Sequence, residues 1–364
     1  MVLAAIGFAA PSLAQAPAQA KSDFARLILS LSEEGGTFQM ENLVSNEKAY
    51  PHAVEGLQRL GVTGGAYVGV GPEQNFHYIA RTRPEWALIL DIRRENTLHH
   101  LLYKALFQLG ESPLGFLSLL FSRQPGAAPE GLDAKESMIA CMDQAPPNEE
   151  LFQQNLRFVF ELIQDDYGFP LTEKDRQTVE HIYRAFFQEG LNLRCEYPKP
   201  ARENSVTLRD LLRAKDCDGR CQHFLASPEH FAFLKGLHAR NRIVPVTGDF
   251  AGPKALRAVG AFIREQGSHV SVFYLSNVEQ YLKKERYAAF AENVRSLPLT
   301  EQSLLIRSQG GKQFKSHPMC HVEGASLLAL QRTLSFLKHY DAGDYWTHAD
   351  LVQVDYLDWT REGR

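Results

Sequence analysis

The stretch AYVGVGPEQN at residues 66–75 brings two glycines, a carboxylate and an amide to the end of an apolar run. Gly69 and Gly71 let a backbone pass close to a ligand, because glycine places no Cβ in the way. Glu73 and Asn75 follow at once. A helix expected over residues 74–81 would aim amide groups and the positive end of its dipole at the same spot. Asp91 ends the next apolar run, WALILD, twenty residues after Gly71. A carboxylate at that place reaches the two hydroxyls of a bound ribose. Together these features describe a nucleoside-type site. Each also has a plain structural alternative: a tight turn at the glycines, and an Asp that caps its own strand. Pro72 follows Gly71, and the third glycine of a dinucleotide fingerprint is missing. That favours a single nucleoside over a nicotinamide or flavin dinucleotide.

The elements that would position these residues are strands and helices in alternation. The spacing predicts a strand over 66–70, a helix over 74–81 and a strand over 86–92, which is a βαβ unit. Continuous apolar runs of this kind suit parallel strands covered on both faces. Residues 97–240 read as mostly helical. Thr172 starts one helix, and Ser227-Pro228 starts another with a cap followed by proline. The strand pattern returns at IVPV (243–246), VSVFYL (270–275) and LLIR (304–307), and a helix is expected over 325–340. The fold class is therefore α/β: a Rossmann-like, mostly parallel sheet with a large helical insertion between its second and third strands. The expected organisation is a leader over 1–20, a helical cap segment over 21–60, a first sheet part over 61–96, the insertion over 97–240 and a second sheet part with the C-terminal tail over 241–364.

The ordered series AYVGVGPEQN, ILDIR, VPVTGDF and VFYLSNVEQYL resembles the motifs of class I S-adenosylmethionine-dependent methyltransferases. The resemblance implies S-adenosylmethionine as cofactor. Gly69 and Gly71, with Glu73 and Asn75 beside them, would cradle its amino-acid part. Asp91 would hold the ribose, Asp249 and Phe250 would face the adenine, and Ser276 and Asn277 would line the reactive end. That family usually carries an acid two residues before the first glycine, where this chain has Tyr67. From ENLVSNE onward the chain also resembles a family of uncharacterised bacterial proteins, many with export signals, and that likeness carries no activity with it. The functional expectation is a methyltransferase-like protein whose acceptor and catalytic residues the sequence does not name. The alternative is an exported, non-catalytic protein that binds a nucleoside or another small ligand on the same fold.

Other residues carry side chains suited to chemistry. Glu41, Asn42, Ser45, Asn46 and Glu47 precede the first strand and could fold over a ligand or form a solvated loop. Arg93 and Arg94 could hold an anion, or make surface ion pairs. His77 could be a general base or a structural side chain. Asn277 or Glu279 could orient an acceptor. His317, Cys320 and His321 fit no standard zinc pattern, and adjacent His99 and His100 point to different sides of a helix, so no metal is expected.

Composition bounds these readings. The chain has 364 residues, 44% hydrophobic and 23% charged, which is a globular composition. A net charge of -4 and the lack of a long basic run argue against nucleic acid as a partner. The first twenty residues carry no charge, and small residues fall at cleavage-type spacing, which reads as a secretory leader and export to the periplasm. Their apolar part is too short to span a bilayer. Five cysteines are present, and Cys217 and Cys221 in CDGRC are close enough in sequence to pair.

Overall fold

The computed structural model describes residues 18–195, 205–310, 317–319 and 327–360. Residues 1–17, which hold most of the leader-like segment, lie outside this set, as do Cys320 and His321. The chain opens with α1 (Ala18–Leu31) and α2 (Tyr50–Arg59), then β1 (Ala66–Gly69), α3 (Gln74–Thr82) and β2 (Trp86–Asp91). A run of helices follows: α4 (Arg94–Leu109), α5 (Pro113–Phe121), α6 (Ala134–Gln144), α7 (Glu149–Glu161), α8 (Glu173–Glu189), α9 (Leu208–Arg213) and α10 (Pro228–Ala239). Then come β3 (Ile243–Thr247), α11 (Ala255–Glu265), β4 (Val270–Ser276), α12 (Lys284–Arg295), β5 (Leu304–Gln309), β6 (Leu327–Arg332), α13 (Thr333–Ala342) and α14 (Asp350–Gln353).

The strands form one six-stranded sheet in the order β3-β2-β1-β4-β5-β6. β1 to β5 pair in parallel, and β6 joins β5 antiparallel. The fold is thus α/β with a mostly parallel sheet. Every residue of β1, β2 and β3 is buried, as their unbroken apolar runs require. Helix starts follow local capping chemistry. Thr172 and Asp175 form a reciprocal capping box on α8, and the Ser227 hydroxyl accepts from the His230 amide at the head of α10. Among the described residues no helix is long and apolar enough to cross a membrane.

The helix expected over 325–340 is a correction. Residues 327–332 are strand β6, and the helix begins only at Thr333. Leu-Leu-Ala-Leu favours helix locally. Pairing with β5, from Leu304 opposite Arg332 to Gln309 opposite Leu327, overrides that preference.

Parallel pairing puts the carboxyl ends of β1 to β5 on one edge of the sheet. A strap of chain, residues 32–47, runs along that edge. At β3 the Glu33 amide donates to the Thr247 carbonyl (2.9 Å), and the Thr247 amide donates to the Ser32 hydroxyl (3.0 Å). Past β2 the Gly36 amide donates to the Ile92 carbonyl (2.7 Å). The Glu33 carboxylate accepts from the amides of Asp249 (3.0 Å), Lys254 (2.8 Å) and Ala255 (3.1 Å), which closes the amino end of α11. Glu33→Ala removes one acceptor from three backbone donors. It is expected to lower stability by about 1–2 kcal/mol, the scale of a lost helix cap, read as a fall in the urea midpoint. An unchanged midpoint would mean that the strap is not anchored there.

Candidate functional site

The glycine turn sits at the carboxyl end of β1. Beside Gly69, the place of a Cβ is filled by the Tyr67 ring and the Asn75 amide. Asn75 staples the turn. Its amide nitrogen donates to the carbonyls of Val70 (2.9 Å), Gly71 (3.0 Å) and Pro72 (2.7 Å), and its oxygen accepts from the Tyr67 hydroxyl (2.9 Å). Tyr67 at the usual acid position therefore serves the turn. Gly71 has φ 76°, and the space around its missing Cβ is open. Its carbonyl accepts from His100 Nε2 (2.9 Å), which fixes the proton on that nitrogen.

Next to the turn, the strap delivers Glu47 into the ends of β4 and β5. Its carboxylate accepts from Gln74 Nε2 (2.5 Å), the Tyr274 hydroxyl (2.7 Å) and the Ser276 hydroxyl (2.6 Å). Ser308, at the end of β5, also bonds it. Burial raises the Glu47 carboxyl above its ordinary range, and these four donors partly offset that. Ser45 of the strap bonds the Gln74 side chain through its hydroxyl, and its amide donates to Glu73 (2.9 Å). The second Glu73 oxygen is buried with no partner among the described residues. Burial pushes Glu73 up to about 7, and the Ser45 amide offsets this in part.

Asp91 ends β2, as the sequence implies, and its carboxylate is already engaged. Arg93 clamps it with Nε (3.1 Å) and Nη2 (3.0 Å), and the Arg93 amide donates to the same group (2.9 Å). Both side chains are 7% exposed, so this is a buried, bidentate pair and not the surface contact expected for Arg93. Arg93 also bonds the Glu41 carbonyl on the strap. Arg94 pairs instead with Asp175 on α8 (2.8 Å).

Most of the remaining candidates have other partners or lie in the core. Asp249 accepts from the Ala251 amide (2.8 Å) and pairs with Arg286. Phe250 is buried in the core, 4.9 Å from the Phe273 ring centroid and 6.3 Å from that of Phe290. Ser276 is spent on Glu47, and Asn277 is half-buried at the head of a short 3-10 turn. Glu279 is locked to Arg307 (2.6 Å), a pair sealed in the interior. His77 is buried and stacks on Tyr50. Cys217 and Cys221 are not joined by a disulfide. His317 accepts from the Met319 amide and donates to the Val352 carbonyl.

A cavity of about 570 Å³ opens beside Arg93. The strap supplies Phe38 and Glu41, the first turns of α4 supply Asn96 and His99 after Arg93, and α8 supplies Lys174, Thr178 and His181. Asn96 and His99 are each 2% exposed. Both polar atoms of the Asn96 amide, and His99 Nε2, have no hydrogen-bond partner among the described residues. Burial holds the His99 imidazole far below its ordinary value, with His100 and Arg93 adding to the effect, so it is neutral at pH 7. An unpaired buried amide is costly, about 1–3 kcal/mol. Asn96 stands in the cavity wall with these atoms closed to solvent, so a polar group in the cavity would meet them only after the side chain turns.

Gly69, Gly71, Glu73, Asn75, Asp91 and Ser276 thus gather at one edge of the sheet, while Phe250 belongs to the core. Sequence reasoning singled out Glu41, Ser45, Glu47 and Arg93 as possibilities. It missed Gln74, Asn96 and Lys174 altogether, and set His99 aside on metal grounds. Asn96 lies in the first turn of a helix that follows a strand-end acid. That position was the one available signal.

Glu73 gives a pH test. Its folded value lies above the ordinary 4.5, so the folded state holds the extra proton between 4.5 and about 7. Its contribution is full below 4.5 and is lost as pH rises through about 7. Glu73→Gln removes this loss. Between pH 5 and pH 8 its stability relative to wild type is expected to rise by about 2–3 kcal/mol, measured by urea unfolding at both values. A pH-independent difference would contradict the buried, partnerless oxygen.

No curated protein matches the chain. A family match covers residues 43–351, from the second half of the strap into α14. The chain belongs to the family described as Domain of unknown function (DUF7790).

Proposed function

We propose that the protein is a small-ligand binder on a Rossmann-like scaffold, and that its ligand, of the nucleoside class, occupies the cavity beside the Asp91–Arg93 pair. The observation that carries this is the Asn96 amide in the cavity wall: neither polar atom is paired, both are closed to solvent, and a turn of the side chain would offer them to a ligand. An amide offers a donor and an acceptor side by side, which matches the edge of a base such as adenine. Arg93, Lys174 and Glu41 supply charge for hydroxyl or phosphate groups, and Phe38 supplies an apolar face. The volume is in the ordinary range for ligand sites, about 300–1,000 Å³. The leader-like N-terminus extends the proposal to an exported protein, working where S-adenosylmethionine is not made.

A second reading keeps S-adenosylmethionine and a methyltransferase-like role. The strand order supports it, because the order in which the chain lays down its parallel strands reverses between β1 and β4, where open α/β sheets bind ligands. The open space at Gly71 supports it too. Against it stands the energetics of Asp91. A ribose would have to displace Arg93. Each hydrogen bond to a charged group returns about 1.5–3 kcal/mol, and a buried guanidinium left without its partner costs about 3–5 kcal/mol. Two ribose hydroxyls roughly break even. The cavity asks for no such exchange.

Calorimetric titration with adenosine and with S-adenosylhomocysteine separates the two. The binder reading expects adenosine to bind, to weaken about tenfold or more in Asn96→Ala, and to be indifferent to Gly71→Ala. Binding of S-adenosylhomocysteine that is lost in Gly71→Ala would support the methyltransferase reading instead. No heat from either ligand with folded protein would overturn both.

A further inference from the structure

On α2 and a loop distant in sequence, three side chains of metal-binding type converge. His52 and Glu55 are three apart on α2, so they share one face of the helix. Cys217 comes from the CDGRC loop, 162 residues later than Glu55. His52 Nδ1 lies 3.2 Å from Cys217 Sγ, and the Cys217 amide donates to the Glu55 carboxylate (3.0 Å). One donor atom from each residue lies within 4.8 Å of the other two. Donor atoms bound to one tetrahedral zinc sit about 3.5 Å apart, given bonds of about 2.0–2.3 Å. The cluster needs little movement to reach that geometry.

We propose that His52, Glu55 and Cys217 form a binding site for a divalent, thiophilic cation of the zinc class. Imidazole, carboxylate and thiolate together are a donor set that suits zinc. His52 and Glu55 are buried and held by α2, while Cys217 is exposed. The fourth position therefore faces solvent and takes water. Binding breaks the Cys217 S–H bond, the proton leaves to solvent, and the sulfur electron pair goes to the cation with no change of oxidation state. Arg59 now pairs with Glu55 (2.5 Å), and Asp218 lies 3.8 Å from the same guanidinium nitrogen, ready to take it when Glu55 turns to the metal. The site does not depend on the cavity beside Asp91 or on what fills it. The long separation in sequence explains why no zinc spacing announces it.

Cobalt(II) is the probe, because its thiolate complexes show a near-ultraviolet sulfur-to-metal charge-transfer band. Tag-free full-length protein, titrated under reducing conditions, is expected to develop this band at one equivalent of cobalt. Zinc should then bleach it. Cys217→Ser is expected to abolish the band. Glu55→Gln and His52→Ala are expected to weaken cobalt binding at least tenfold, and Cys221→Ser should leave it intact. Circular dichroism checks that each variant is folded. If a helix variant fails to fold, the exposed Cys217→Ser still decides the matter. No band in wild type, or a band that persists in Cys217→Ser, would overturn the proposal.

Discussion

A parallel sheet must do something with the backbone groups at its carboxyl edge, since buried amides and carbonyls need partners. In this protein the chain's own residues 32–47 meet that need. The strap bonds β3 through Ser32 and Glu33, the chain just past β2 through Gly36, the helix after β1 through Ser45, and β4 and β5 through Glu47. Glu47 is the pivot. One buried carboxylate collects donors from α3, β4 and β5, which would otherwise face one another unpaired. Burial works against its charge, and four hydrogen bonds restore part of what burial removes.

The strap changes what the strand ends can do. At Asp91, where an open site would offer a bare carboxylate, a guanidinium held by the strap carbonyl of Glu41 completes a bidentate pair. At the glycine turn, Asn75 spends all of its donors and its acceptor on the backbone and Tyr67. Among the described residues, two of the side chains with unpaired buried atoms, Asn96 and His99, stand together in the cavity wall between strap, α4 and α8. On the proposed reading, recognition moves sideways from the sheet edge to the space between the strap and two helices.

Much of this was legible in the sequence, and for physical reasons. Buried parallel strands need unbroken apolar runs, so β1 to β5 announced themselves. Thr172 and Ser227 are caps whose side chains are satisfied only at a helix start. Glycine at 71 marked a left-handed turn, and Asp91 marked a strand end. The rest depends on partners distant in the chain. Residues 327–332 carry helix-forming leucines and become a strand only because β5 offers an edge. Asp91 reads as an open acid until Arg93, two residues on, folds back onto it. Phe250 reads as a face for a ring until the core closes over it. Nothing local to Glu47 says that its donors come from residues 74, 274, 276 and 308.

The most direct test is a crystal structure of the wild-type protein grown with both adenosine and S-adenosylhomocysteine. The account predicts nucleoside density in the cavity, against Asn96 and His99, with the Arg93–Asp91 clamp and the Glu47 contacts unbroken. Density over the Gly71 turn with Arg93 swung away from Asp91, or an empty cavity, would contradict it.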